Sequence, residues 1–331
     1  MTDLAPLTLT TPTEHPFAVF VRILGKGKRG ARNLTREEAA EAMGMILDGA
    51  VEPAQLGAFL MLLRHKEESA EELAGFTDAL RRRLQVPPLA VDIDWPSYAG
   101  KKRHLPWYLL AAKTLAANGL RIFMHGAGAH TAGRLYTEQL LGVLDIPLCR
   151  DWAAVQVAMD NRQPAFMPLA DWAPAFQQMI DLRNILGLRS PIHSLARLLN
   201  PLGAKVGLQS IFHPGYQAVH RDASTLLGDN VIVIKGDGGE IEINPDTLSH
   251  LYGTTAHVAW DEEWPALAEQ RHVKPASLDP AQLLAVWRGE QADSYGEKAV
   301  LATIALALRG LGQPREQAFA NAERYWLNRT T

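Results

Sequence analysis

The sequence predicts an α/β protein in two parts: an N-terminal all-helical domain and a larger α/β domain with a mostly parallel sheet. Three observations carry this. Up to Leu84 the apolar residues recur at helical spacing behind capping residues. Pro87-Pro88 then stops the last of these helices. Beyond it, short apolar runs alternate with longer helical stripes, the pattern of strands joined by right-handed helical crossovers.

Residues 1–16 are rich in Thr and Pro and lack the basic start and apolar centre of a signal peptide, so they read as a loose arm. The helical domain is expected over 17–86. Phe17 to Leu24 is apolar with helical spacing, and Gly25 to Asn33 follows as a flexible basic loop with three glycines. Thr35 and Glu38 form a capping box for the next helix, with Ala39, Ala42, Met43, Ile46 and Leu47 in its stripe and Asp48-Gly49 at its end. Glu52-Pro53 opens a third helix with Leu56, Phe59, Leu60 and Leu63 on one face. Ser69 caps a fourth, Ala70 to Leu84. The remainder, 87–331, is the α/β domain. Short β runs are expected at Leu89–Ile93, Leu120–Met124 and Ala165–Met167, and a buried strand at Val231–Ile234. Helices are expected at Trp107–Asn118, Thr131–Leu140, Trp172–Leu186, Gln282–Trp287 and Tyr295–Leu311.

Hydrophobic residues make up 47% and charged residues 21%, ordinary for a soluble globular protein, and no apolar run reaches transmembrane length. The single cysteine, Cys149, excludes an internal disulfide and a cysteine-cluster metal site, and fits a reducing cytoplasm. A net charge of −3 argues against a nucleic-acid partner, but the distribution argues the other way. Six cations (Arg22, Lys26, Lys28, Arg29, Arg32, Arg36) and no acid lie between Arg22 and Arg36. Seven acids and no Lys or Arg lie between Asp237 and Glu263.

Tyr98 to Pro106 joins a strand to a helix, where α/β proteins bind phosphate at a helix N-terminus. It holds one glycine, Gly100, and three consecutive cations, Lys101, Lys102 and Arg103. Charge without the close backbone approach of a glycine-rich turn suits a polyanion better than one small nucleotide. Tyr98, His104, Trp107 and Tyr108 flank the turn and either stack on bases or pack the helix start. Arg81-Arg82-Arg83 either meets nucleic acid or complements a helix C-terminus. His125 serves a site or merely bonds neighbouring backbone. His130, Thr131 and Arg134 hold a phosphate, or Thr131 is a cap. Lys235 to Gly239 is a tight turn that does not complete a dinucleotide fingerprint.

Leu34 to Ala39, Gln55 to Leu60 and Glu71 to Gly75 resemble the helical domain of anthranilate phosphoribosyltransferases, and His125-Gly126, Arg183 to Arg189 and Leu199-Asn200-Pro201 continue the resemblance in order. It spans roughly Phe17 to Arg309. It implies a helical domain packed on an α/β domain of the nucleoside phosphorylase or phosphoribosyltransferase type, part of 174–200 packing with the helices, and dimerisation through the helical domain. It also implies magnesium-dependent transfer of a ribosyl phosphate from phosphoribosyl pyrophosphate to anthranilate. The chemistry-bearing motifs depart from that pattern. The glycine-rich pyrophosphate loop becomes Tyr98 to Arg103. The Lys-His-Gly-Asn-Arg run becomes Met124 to Gly128. The Asp-Glu metal pair becomes Glu240-Ile241, with Glu240 and Glu242 as the alternative pair if that segment is a strand. Arg-Thr-x-Phe-Asn becomes Arg189 to His193, and Gly-Pro-Leu becomes Ala196-Arg197-Leu198. Arg183 matches an arginine that contacts anthranilate in the enzymes.

These losses remove the groups that spread the charge of a pyrophosphate leaving group. They are similar to the YbiB-like branch of the fold, which implies sequence-independent binding of DNA or RNA through the phosphate backbone. On this reading Lys26, Lys28, Arg29, Arg32, Lys101, Lys102 and Arg103 neutralise phosphates in a cytoplasmic homodimer with no membrane partner. Gly100, His125, Gly126, Arg183 and Arg189 form a vestigial ligand cleft, and no catalytic residue, metal or cofactor is expected. The alternative is a transferase that keeps magnesium and takes another acceptor.

Overall fold

A computed structural model of the protein describes residues 14–128 and 131–329. Residues 1–13 of the expected arm, and His130, lie outside the described residues. The chain opens with α1 (Ala18–Gly25), α2 (Arg36–Leu47), α3 (Pro53–Lys66) and α4 (Ala70–Arg81). The expected capping box of Thr35 with Glu38 forms, and Ser69 caps α4 as expected, with Glu72 completing a second box. Phe17, Phe20, Phe59 and Phe76 meet edge to face in the core of the four helices. Gly75 lets α4 close on α2, because a Cβ there would overlap the Arg36 carbonyl.

The α/β part runs β1 (Ile93–Ser97), α5 (Tyr108–Ala117), β2 (Ile122–Gly126), α6 (Thr137–Leu140), α7 (Trp152–Asp160) and β3 (Ala165–Pro168). Four short helices follow, α8 (Leu169–Trp172), α9 (Pro174–Asp181), α10 (Arg183–Leu186) and α11 (Ile192–Leu195), then β4 (Val206–Ser210), α12 (Tyr216–Leu227) and β5 (Val231–Ile234). A hairpin, β6 (Ser249–Thr255) and β7 (Val258–Trp264), precedes α13 (Ala281–Trp287), α14 (Ser294–Gly310) and α15 (Arg315–Leu327). The seven strands lie in the order β3-β2-β1-β4-β5-β6-β7; the first five are parallel, and β6 and β7 are antiparallel additions.

Alternate strand residues bury on opposite faces of the sheet. Ile93, Trp95, Ile122, Met124, Val206, Leu208, Ile232 and Ile234 pack with α5, α13, α14 and α15. Phe123, Ala165 and Met167 join one apolar cluster with the four N-terminal helices, and with Phe176, Met179 and Ile180 of α9. α12 lies between α4 and the sheet.

Several expectations shift. β1 starts at Ile93, where the expected strand ends, and it contains Pro96. The β1–β4 ladder covers only Ile93 and Asp94, so Pro96 sits where the strand has one neighbour and a missing donor costs little. Of the helix expected at Thr131–Leu140 only α6 forms, because the Leu135 backbone pairs with Lys101 instead. The helix expected at Trp172–Leu186 breaks into α8, α9 and α10, with Pro174 at the first position of α9 and Gly187 closing α10 in the left-handed region.

Candidate functional site

The strand order reverses between β1 and β4, and open α/β sheets bind ligands in the crevice outside the carboxyl ends of the strands at such a point. The segments following β1, β4 and β5 border it. In the first of these Gly100 has φ 67°, and a Cβ there would crowd the Leu135 carbonyl and the Tyr136 ring. The turn aims the N–H groups of Ala99 and Gly100 at one point, as an anion cradle does. The anion they hold is the chain's own. Glu240 Oε1 accepts from Ala99 N at 2.7 Å and from Gly100 N at 2.5 Å. Glu240 is 1% exposed; burial pushes its carboxyl above the usual range, opposed by Arg197 and by these two donors.

Lys101 corrects the sequence reading. Expected at the surface against phosphate, it is fully buried, and its ammonium donates to the carboxylates of Asp237 and Glu242, the latter at 2.6 Å. Two acids under the loop need a counter-charge in a dry site, and the Lys101–Leu135 bridge anchors the loop above them. Only Lys102 and Arg103 of the three cations are exposed. Glu242 Oε2 also accepts from Tyr108 N, and burial pushes this carboxyl up to about 7. Asp237 goes the other way: burial would raise it, but His104 and Lys101 together hold it below the usual range. The same two acids keep Lys101 above its ordinary value despite burial.

Glu240 and Glu242 do not share a strand face. The segment is a turn, with Glu242 N donating to Glu240 O at 2.9 Å, and the two carboxylates take different partners. The Lys101 ammonium stands between Asp237 and Glu242 where a bound cation would, so the residues present do not fit a magnesium ion at those two acids. Among the described residues, no group of three or more His, Cys, Asp or Glu side chains is arranged to hold a metal ion.

Across the crevice, Arg183 Nη1 and Arg189 Nη2 both donate to Thr131 Oγ1, at 2.9 and 3.3 Å. Arg134 Nη1 donates to the carbonyls of Ala99, Gly100 and Gly238, tying the loop after β1 to the loop after β5. Arg197 is buried, 5.7 Å from the Tyr98 ring centre. Burial and the neighbouring Arg197, Arg183 and Arg134 charges all lower the Arg189 guanidinium, so four arginines converge here. Thr131 accepts from Arg183 and Arg189 rather than capping a helix. Sequence reasoning proposed no site role for Arg197, whose partner Glu240 lies 43 positions on.

His125 and Gly126 do not line the cleft. His125 is fully buried, with Nδ1 2.7 Å from Tyr98 Oη and Nε2 3.4 Å from Asp94, so it braces the floor. Gly126 lets β2 close on β1, since a Cβ would overlap the Ser97 carbonyl. Tyr98, His104, Trp107 and Tyr108 are all buried and offer no face to a base.

The basic loop also divides. Lys26, Lys28 and Arg29 are exposed and have no ion-pair partner among the described residues. Arg32 is taken: both its terminal nitrogens donate to Glu38, at 2.6 and 2.7 Å, which pulls that carboxyl down to about 2. Arg22 pairs with Glu14 and Arg36 with Asp78. Arg81 is structural too, bonding the Leu198 and Leu199 carbonyls and Asp229, while Arg83 pairs with Asp48. A path of contacts links the end of this loop to the segment after β4. Lys66 donates to Asn33 at the end of the loop, Glu67 pairs with His213, and Glu68 N donates to Tyr216 Oη. His213 and Tyr216 belong to the segment that follows β4.

The helical bundle domain of the glycosyl transferase family matches residues 21–84. An anthranilate phosphoribosyltransferase of Methylocella silvestris is 30% identical over 304 residues, which is 87% of this chain and 85% of that protein. The Escherichia coli (strain K12) protein named "Uncharacterized protein YbiB" is 29% identical over 70% of this chain and 74% of its own. Among solved structures, anthranilate phosphoribosyltransferase from Thermus thermophilus superposes with a TM-score of 0.73 at 23% identity, covering 93% of this chain and 94% of that one. The Saccharomyces cerevisiae enzyme in complex with PRPP and Mg gives a TM-score of 0.73 at 17% identity over 95% and 94%. These structural likenesses are likenesses of fold.

Proposed function

We propose, from the premise that this chain belongs to the anthranilate phosphoribosyltransferase family, that it is a sequence-independent nucleic-acid-binding protein rather than a working transferase. One observation carries the first half of this. Glu240 occupies the N–H groups that would cradle a pyrophosphate, and the Lys101 ammonium neutralises Glu242, the other acid of the expected metal pair, together with Asp237. Transfer from phosphoribosyl pyrophosphate needs both positions open.

The free cations supply the second half. Lys26, Lys28, Arg29, Lys102 and Arg103 are exposed without carboxylate partners among the described residues. Contacts of this kind neutralise phosphates, release counterions and carry no base preference. A homodimer through the helical domain is part of the reading, since Val19 of α1, Ile185 of α10 and Leu188 leave apolar side chains exposed beside that domain. Pairing would double the cations along one strand. A cytoplasmic location belongs to it as well, in keeping with a sequence whose single cysteine can form no internal disulfide.

The test is the double variant Lys28→Glu/Arg29→Glu, titrated against a labelled mixed-sequence oligonucleotide. Binding at least about tenfold weaker, with a flatter salt dependence, is expected. Unchanged affinity overturns the reading.

A second reading has its own observation. Arg134, Arg183, Arg189 and Arg197 still converge on the crevice, which suits a small anion and a transferase with a different acceptor. Magnesium-dependent heat on titration with phosphoribosyl pyrophosphate would favour it over the first.

A further inference from the structure

We infer that Phe212 is a stacking platform for an unpaired base, and that the nucleic acid this protein takes is therefore single-stranded; this rests on the nucleic-acid reading above. The observation is an aromatic ring where the fold binds ligands and the core has no use for it. Ile211 turns inward from the end of β4 and packs with Tyr216, Val231 and Val233. The next residue, Phe212, points out and is 62% exposed. It follows the strand at the point where the order reverses, the position at which open α/β sheets place their ligands. It also lies across Gly239 from the loop after β1: a Cβ at Gly239 would sit 3.0 Å from the Ala99 Cβ and 4.0 Å from the Phe212 Cβ.

Charge around the ring complements a nucleotide. Lys235 Nζ, at the end of β5, is 5.1 Å from the centre of the Phe212 ring. Lys235 is exposed and pairs with no carboxylate among the described residues, so it is available to a phosphate while the ring holds the base. Other exposed apolar side chains, such as Val258 on an edge strand, lack this combination of strand end and adjacent cation. A base inside a duplex already stacks on its neighbours and presents only its edges. A π-face on Phe212 is therefore of use only to bases that are unpaired, and it is indifferent to sequence because every base has such a face.

The experiment is fluorescence anisotropy on the full chain with three labelled probes: an oligothymidylate, an abasic sugar-phosphate strand of equal length, and a duplex. Phe212→Ala should bind the oligothymidylate about 5- to 150-fold more weakly, which is one lost base stack. It should bind the duplex and the abasic strand as the unaltered protein does, with the same salt slope. Phe212→Tyr should keep the original affinity. The residue is exposed, and a thermal midpoint equal to that of the unaltered protein checks that the variant is folded. If Phe212→Ala holds the oligothymidylate as tightly as before while Lys28→Glu/Arg29→Glu does not, the platform is wrong and the nucleic-acid reading stands. If the unaltered protein binds none of the three probes, both fall together.

Discussion

Lys101→Met tests the filled cleft at its centre. Met keeps most of the stem's volume and removes the ammonium, leaving Asp237 and Glu242 without their shared cation. Removing one partner of a buried ion pair costs about 3–5 kcal/mol, because the remaining charge stays buried and unmatched. At about 2.1 cal/mol/K per residue, a chain of 331 residues unfolds with an entropy of roughly 0.7 kcal/mol/K. The variant should therefore melt about 4–7 °C lower by scanning calorimetry. Adding Glu242→Gln removes the orphaned charge as well, so the double variant should recover more than half of that loss. A single variant within about 1 °C of the original protein would mean that the ammonium is hydrated and the loop open. A double variant whose losses simply add would mean that the two residues are not coupled.

Three further outcomes follow from the same geometry. Glu242 titrates at about 7 in the folded chain against an ordinary 4.5, so the stability it contributes is present below about pH 4.5 and lost as the pH rises through 7. Thermal midpoints of Glu242→Gln should gain on the original protein between about pH 5 and pH 8, by up to about 4 °C, equivalent to about 3 kcal/mol, and parallel curves would contradict the assignment. His220 is fully buried beside Gln209 Oε1, and burial first, then Arg197, holds it at about 3, so its stability is full above about pH 6.5 and lost as the pH falls. His220→Gln should lose about 2 kcal/mol less than the original between about pH 7 and pH 5 in urea titrations. Arg32→Ala should leave nucleic-acid affinity within about twofold, whereas Lys28→Ala should reduce the salt slope by about one, because Glu38 already neutralises Arg32.

What the sequence made legible was local. Thr35 with Glu38 and Ser69 with Glu72 are three residues apart, and both capping boxes form. Val231–Ile234 reads as a buried strand because nothing polar interrupts it. The pivotal error concerned Lys101, whose partners lie 136 and 141 residues away; no local pattern distinguishes it from Lys102 beside it. Arg32 was different. Glu38 is six residues on, already fixed by its cap, and its carboxylate had room for a guanidinium, so that pair was within reach of the sequence. The hairpin β6–β7 was hidden because its outer strand carries Asp261, Glu262 and Glu263, charges that protect a sheet edge but read as a solvated acidic run. Phe212 gave no signal at all, since one aromatic in Ile-Phe-His-Pro-Gly points either way until the strand before it is known.

The most direct measurement is the binding of a labelled mixed-sequence single strand to the unaltered protein across salt concentrations. With Lys26, Lys28, Arg29, Lys102 and Arg103 each neutralising one phosphate, the slope of log affinity against log salt should be about −3.5, a loss of roughly 100-fold from about 50 to 200 mM. Submicromolar binding at low salt with that slope is the expected result. No binding at low salt, together with magnesium-dependent binding of phosphoribosyl pyrophosphate, would contradict it and return the chain to the transferases.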